Sequence, residues 1–295
     1  MLDLKIAYIA LPLIIAMIYS EIFLYKKRGL AFPHQEAWVS VGMTIIFQIV
    51  TRVTAPFMSS INRHVFELRP QTIGMDRVWH WVALFFLVEF FYYWQHRAMH
   101  GIRWGWASHS VHHSPETITF SGAYRLSITQ MLSLIFIFFF PIYAMGFPPE
   151  AVGLVYSLNL MYQFWLHTAL IPKLGWFEWI FNTPSHHRVH HAINPIYLDK
   201  NHGGVLIIFD RLFGTYQEEL ASEPCRYGLV GRERSLNPLK IFFQEWVSLV
   251  RNLGQAESLR DIYLITLGAP GEFAKVKQQR AALRDGSSSP VQESA

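Results

Sequence analysis

Apolar positions gather into five long stretches, at roughly 5–24, 38–58, 78–95, 127–147 and 149–171. Each approaches the ~20 residues that an α-helix needs to cross a bilayer. The pattern therefore predicts an all-α integral membrane protein with about four to five transmembrane helices. The second stretch carries Arg52, and the third carries His80 and Glu89, so these two are less purely apolar. Pro148 and Pro149 turn stretches four and five into a hairpin. The first stretch runs into Lys26, Lys27 and Arg28 without a small-residue cleavage site, which suits an uncleaved span better than a signal peptide. No repeat of fixed period is present.

Beyond residue 172 the chain is mixed in character. Asn237 followed by Pro238 reads as an N-cap and a first-turn proline. Phe242, Trp246, Leu249, Val250 and Leu253 then recur at helical spacing, predicting an amphipathic helix that lies on the bilayer surface or on the cytoplasmic part of the protein. From Gly268 the tail grows polar, and the stretch from Gly286 to Pro290 reads as disordered. Four segments result: membrane helices and a loop (1–75), membrane helices with histidine motifs (76–220), a cytoplasmic or interfacial helical region (221–267) and a disordered tail (268–295).

Composition strengthens the membrane reading. Of 295 residues, 52% are hydrophobic and only 16% charged, against about 25% charged in an average soluble domain. Ten Trp and 23 Phe suit lipid-facing helices with aromatic belts. The net charge of +4 is spread along the chain, with no basic run of the kind that binds nucleic acid. Cys225 is the only cysteine, which excludes an internal disulfide framework and a cysteine-only metal site.

Charge also orients the spans. Lys26, Lys27 and Arg28 place the first loop in the cytoplasm by the positive-inside rule. Alternation then puts 59–77 outside, and 96–126 and everything after Pro172 inside. Arg63, Arg69 and Arg77 disagree with that assignment unless their segment is re-entrant or packed on the membrane.

Fourteen histidines in so apolar a chain need a reason. His96 and His100 stand four apart where the third stretch ends, on one helical face. His109, His112 and His113 follow at i, i+3, i+4, and the same spacing returns at His187, His190 and His191, preceded by His186. His167 closes the fifth stretch. Span parity brings all of these to one membrane face, as a cytoplasmic histidine-rich helical cap. Eight or nine nitrogen ligands are too many for one ion and suit two, with positions left open. Neutral imidazole binds iron, zinc and copper alike, so the ligands do not choose the metal. His34, His64 and His80 read as polar anchors, and His186 and His202 as ligands or as groups hydrogen-bonded to ligands. Glu89, an ionisable group within a span, is a functional candidate. It either orients a ligand histidine or pairs within the bundle. Arg97, Arg103 and Arg125 read as positive-inside residues, with contact to a lipid headgroup as the rival role.

These motifs, namely His96-x-x-x-His100, His109-x-x-His112-His113 and His187-x-x-His190-His191, resemble those of the fatty acid hydroxylase/sterol desaturase superfamily of membrane di-iron enzymes. The stretches Asn182–His191, Asp199–Gly204 and Asp210–Thr215 look most like its alkylglycerol monooxygenase branch. The resemblance covers about residues 75–218. It implies two Fe ions, replaceable by Zn in a purified sample, with dioxygen as co-substrate and hydroxylation of a lipid C–H bond. It also gives Asp199, Asn201 and Asp210 supporting or structural roles. The chain shows no cytochrome-b5-like segment, cysteine cluster or dinucleotide fingerprint, so a separate reductase, ferredoxin or pterin is expected to supply electrons. Desaturation on the same scaffold is the alternative. A metal transporter would place ligands at the bilayer midplane between repeats, and a zinc hydrolase would show His-Glu-x-x-His; neither pattern is present.

Overall fold

The computed structural model describes residues 2–284, and among them there are helices and turns but no strand. Three long helices come first: α1 (Leu2–Lys27), α2 (His34–Glu67) and α3 (Val78–Gly101). Among the described residues one helix, α2, is long and apolar enough by length and composition to cross a membrane. Its 34 residues would extend about 51 Å, against a hydrocarbon core of ~30 Å. Lys26 and Lys27 close the last turn of α1, where cations meet the negative end of the helix dipole.

The expected fourth span is not a continuous helix. Residues 128–134 run as turns, Ile135–Phe139 form a 3-10 turn, and only α5 (Phe140–Ala144) is α-helical. Hydroxyl groups divert the backbone: Ser127 Oγ binds the Thr129 amide (3.2 Å), and Ser108 Oγ donates to the Thr129 carbonyl (2.8 Å). Such bonds compete with the helical ladder. A run of Ile and Phe has modest helix propensity, and Pro141 cannot continue a helix from upstream. The expected fifth span, 149–171, is shorter than its apolar stretch: α6 (Pro149–Phe164) opens at Pro148 and Pro149, and its 16 residues end before His167, which sits in the turn that follows.

The principal core packs Leu84, Val88 and Tyr92 of α3 against Phe139, Ile142 and Tyr143, and against Ala151, Val152 and Val155 of α6. Arg63 proves to lie inside α2. Arg69 stacks on the Phe66 ring at 3.7 Å, and Arg77 stands 3.8 Å from Asp76. Arg69 and Arg77 are therefore engaged locally, and Arg63 reaches Glu150 of α6.

After α3 the chain turns at Ile102 into α4 (Arg103–His113); α7 (Pro184–His191) and α8 (Ile208–Leu212) follow α6. α9 (Pro238–Leu253) begins as expected, with Asn237 Oδ1 accepting from the Leu239 amide at 2.9 Å. Its buried residues Ile241, Phe242 and Leu249 pack with Val111 and Ala107 of α4 and Met43 of α2. That face is thus covered by protein. α10 (Leu259–Thr266) and α11 (Glu272–Arg284) complete the cap. α11 corrects the expectation of a disordered tail from 268: Phe273 is buried in the cap core, and Arg280 grips Asp261 with both Nη atoms (2.8 and 2.7 Å). Gly286 to Pro290 lie outside the described residues.

Candidate metal centre

Four segments converge at the α3 C-terminus: the end of α3, α4, the turn after α6, and α7. Their imidazoles form two groups. His96, His100, His109, His113 and His190 make one, and His112, His167, His187 and His191 the other. Within each group the nearest ring nitrogens all lie within 4.8 Å of one another. The spacing in sequence explains the division: on α4, His109 and His113 face one group while His112 faces the other.

The tautomers show what these groups can hold. His96 Nδ1 lies 2.8 Å from the His202 carbonyl, His167 Nδ1 2.9 Å from that of Gln163, and His190 Nδ1 3.0 Å from that of Lys200. A carbonyl only accepts, so each Nδ1 carries the hydrogen and each Nε2 turns a lone pair inward. His109 Nε2 lies 3.0 Å from His96 Nε2 and 3.1 Å from His113 Nε2. His187 Nε2 stands 2.9 Å from His167 Nε2 and 3.0 Å from His191 Nε2, and His112 Nε2 is 3.1 Å from His167 Nε2. His100 Nε2 and His190 Nε2 are buried without any hydrogen-bond partner. Where both nitrogens of such a pair carry lone pairs, they repel unless a cation lies between them. Nitrogens about 2.1 Å from an ion are about 3.0 Å apart at right angles and about 3.4 Å apart in a tetrahedron. The observed separations match the first, so the residues fit two ions with five or six positions each better than closed tetrahedral sites.

Burial, followed by the charges of neighbouring imidazoles, holds His109, His113, His187, His190 and His191 well below the ordinary histidine range. For His112, burial lowers the value to about 4. Neutral rings are what a metal requires.

The supporting contacts differ in part from expectation. Asp199 Oδ1 lies 3.4 Å from His100 Nδ1, a carboxylate behind a cluster histidine. His202 is outside both groups; its Nε2 donates to the Asp199 carbonyl (3.0 Å), and its own carbonyl receives His96. Asp210 fixes that loop by accepting from the His202 and Gly203 amides, both at 2.7 Å. Asn201, at φ +57°, ties the His186 carbonyl (3.1 Å) to Gln217 (2.7 Å). His186 is fully buried with neither ring nitrogen hydrogen-bonded, 4.0 Å from Glu178, and joins no cluster. Glu89 accepts from the Val205 and Leu206 amides (2.9 Å each) and from Asn159. It acts within the bundle, on the loop that carries His202.

Two of the candidate headgroup arginines are spoken for. Arg125 is buried and donates to Ser40, Ser114 and the Glu36 carbonyl; Arg103 pairs with Glu245. Two charged groups of evident structural weight had not been singled out. Glu21 of α1, fully buried, accepts from the Phe120 amide (2.9 Å) and from Thr168 Oγ1 (2.7 Å), next to His167. An acid within an apolar stretch was the available signal, the same one that drew notice to Glu89. Arg188, inside the third motif, donates to the Thr168 and Ile171 carbonyls and pairs doubly with Glu219 (2.7 and 2.6 Å). A gap of about 10 Å3, roughly water-sized, opens beside His112, His167 and His191 under Thr117, Thr119 and Tyr227.

Residues 81–215, which contain all nine clustered histidines, match the sequence profile of the family described as Fatty acid hydroxylase. The alkylglycerol monooxygenase of Homo sapiens is 39% identical over 228 residues, covering 76% of this chain and 50% of its own. That of Danio rerio is 40% identical over 71% of this chain and 45% of its own. The ornithine lipid hydroxylase of Rhizobium tropici is 26% identical over 50% of this chain and 44% of its own. The chain thus spans half or less of the length of these relatives. No solved structure matches it. Residues 81–215, with the three histidine motifs they contain, thus form a fatty acid hydroxylase domain.

Proposed function

We propose that this chain is a multi-pass membrane oxygenase that hydroxylates a lipid at a C–H bond, with two iron ions and its site on the cytoplasmic face. The observation that carries the reading is the pair of imidazole clusters, in which backbone carbonyls turn the Nε2 lone pairs of His96, His167 and His190 inward. His96, His100, His109, His113 and His190 would hold one ion, and His112, His167, His187 and His191 the other. Bound there, redox-active metal supplies activation of dioxygen and removal of hydrogen from an unactivated carbon.

The chain's own residues do the rest. The carbonyls of Gln163, Lys200 and His202 hold His167, His190 and His96 in one tautomer, and Asp199 stands behind His100. Burial of the rings excludes bulk water, and a water-sized gap lies beside His112. One oxygen atom enters the C–H bond and the other leaves as water. The balancing two electrons and two protons come from a separate reductase, ferredoxin or pterin. The names of the relatives support a long-chain lipid as the substrate.

Membranes containing the protein, supplied with 18O2 and a reductant, test this by lipid mass spectrometry. Expected is a lipid that gains one labelled oxygen, with two irons per chain by elemental analysis. A lipid losing two hydrogens without label would replace hydroxylation by desaturation, and an intact protein holding no metal would overturn the reading.

A further inference from the structure

The turns that replace the fourth span leave a cleft between residues 127–139, α2 and α6, of about 290 Å3. Phe47, Val50, Thr54, Met58 and Asn62 line it from one face of α2. The 15 residue steps from Phe47 to Asn62 carry it about 22 Å, more than the ~15 Å that one leaflet contributes to a hydrocarbon core. Met131, Ile135, Phe136, Phe139 and Tyr156 make the opposing walls.

The two ends of the cleft differ. At one end Gln95, the neighbour in sequence of His96, lines the cleft, and Met43 of α2, about one turn before Phe47, packs on Val111 of α4, the residue before His112. At the other end stand Asn62 and Gly153, close to the contact of Arg63 with Glu150 (3.3 Å). Gln95 is 2% exposed, and its amide nitrogen donates to the Ile135 carbonyl at 2.8 Å. That bond fixes the carboxamide and leaves Oε1 buried without a donor. An unmet buried acceptor beside an apolar groove calls for an explanation, and a ligand bearing a donor supplies one.

We propose that this cleft holds one hydrocarbon chain of the lipid substrate, with a lipid hydroxyl or amide N–H donating to Gln95 Oε1. The chain then runs away from the metals toward Gly153. The inference rests on the lipid-oxygenase reading and adds to it a substrate class: a single-chain segment with a hydrogen-bond donor near the oxidised carbon. It also makes Gly153 the limit on chain length, since a Cβ there meets nothing within 4 Å and a larger side chain has room to enter the cleft.

The test uses the metal-loaded protein without a reductant, so that no turnover is needed. A long-chain alkylglycerol with a diazirine at the chain end is photolysed, and the cross-link is located by mass spectrometry. Label is expected on α2 and α6 peptides around Asn62 and Gly153. With Gly153→Leu the label should move toward Phe47, and competition should favour shorter chains. Gln95→Leu should weaken the alkylglycerol by about three- to tenfold, the worth of one hydrogen bond, and leave a probe lacking a donor unchanged. Label on the peptides holding Thr117 or Tyr227, or no response to Gly153→Leu, overturns the cleft even where the lipid is oxidised. Label in the cleft with no oxidised product under any reductant keeps the cleft and sinks the oxygenase reading.

Discussion

At the scale of single residues, the division of nine histidines into five and four makes ligand loss separable. His191→Ala should empty the four-histidine cluster, and His113→Ala should weaken the five-histidine one. Each should lower iron from about two ions per chain to about one and abolish oxygenation, as expected of sites that act as a pair. His186→Ala should leave iron content unchanged, because His186 belongs to neither cluster. Elemental analysis of the folded variants decides; two ions retained in His191→Ala would dissolve the grouping. Glu21 provides a second case. Glu21→Ala would leave the Phe120 amide and the Thr168 hydroxyl buried without acceptors, at about 1–3 kcal/mol each, and would loosen the turn that presents His167. A supporting contact of this kind is worth about 10–100-fold in metal affinity, so metal titration should show a weakened four-histidine site, partly restored in Glu21→Gln. Unchanged affinity and melting temperature would remove Glu21 from the centre. Eight of the nine ring positions were legible because helical i, i+3 and i, i+4 spacing is local, and His167 from its place at the end of the fifth stretch. Glu21 was not, since its partners lie about a hundred residues or more away in sequence (|i−j| of 99 and 147).

Among elements, α1, α2, α3 and α6 follow from apolar length, and α9 from its cap and periodicity. The stretch 127–147 departs from the expected continuous helix because hydropathy registers Ile and Phe but not the Ser127 and Ser108 hydroxyls that capture the Thr129 backbone. α7 has no apolar face to detect: all eight of its residues are buried, six of them Ser, His or Arg. Its environment is set by the loop 199–206, which reaches α3 through Gly204. A Cβ at Gly204 would lie 2.2 Å from Asn159 Nδ2 and 3.0 Å from Tyr92. Gly204→Ala should therefore displace Asn159 from Glu89 and shift the carbonyl that orients His96, at a cost of about 1–3 kcal/mol. Gly153→Ala meets open space and should be neutral or stabilise α6 by up to ~1 kcal/mol. Thermal unfolding and iron content of the two variants check this together, and equal behaviour would show that the Gly204 contact does not constrain the loop.

For the whole molecule, the remaining question is which side of the membrane the clusters face. The Gly146 carbonyl accepts from the Ile73 amide at 2.8 Å, so the α2–α3 loop and the turn before α6 share one end, opposite the clusters and the α9–α11 cap. Both α3 and α6 lead from that end to the histidines. The two ends therefore stay opposite whether residues 127–164 cross the bilayer twice or dip into it and return. In the proposed orientation the basic run at Lys26, Lys27 and Arg28 puts the cluster end in the cytoplasm, where a separate reductase would supply electrons. Ser108 and Ser185 are 1% and 0% exposed, so cysteines there would be unreactive from either side and would say nothing about topology. Gln71 and Ser222 are exposed at opposite ends. In a Cys225→Ser background, a membrane-impermeant maleimide should label Gln71→Cys on intact cells and Ser222→Cys only after permeabilisation. Helices held by apolar residues in lipid cannot invert to accommodate the reagent. Labelling of Ser222→Cys from outside would reverse the orientation and, with it, the route by which electrons reach the centre.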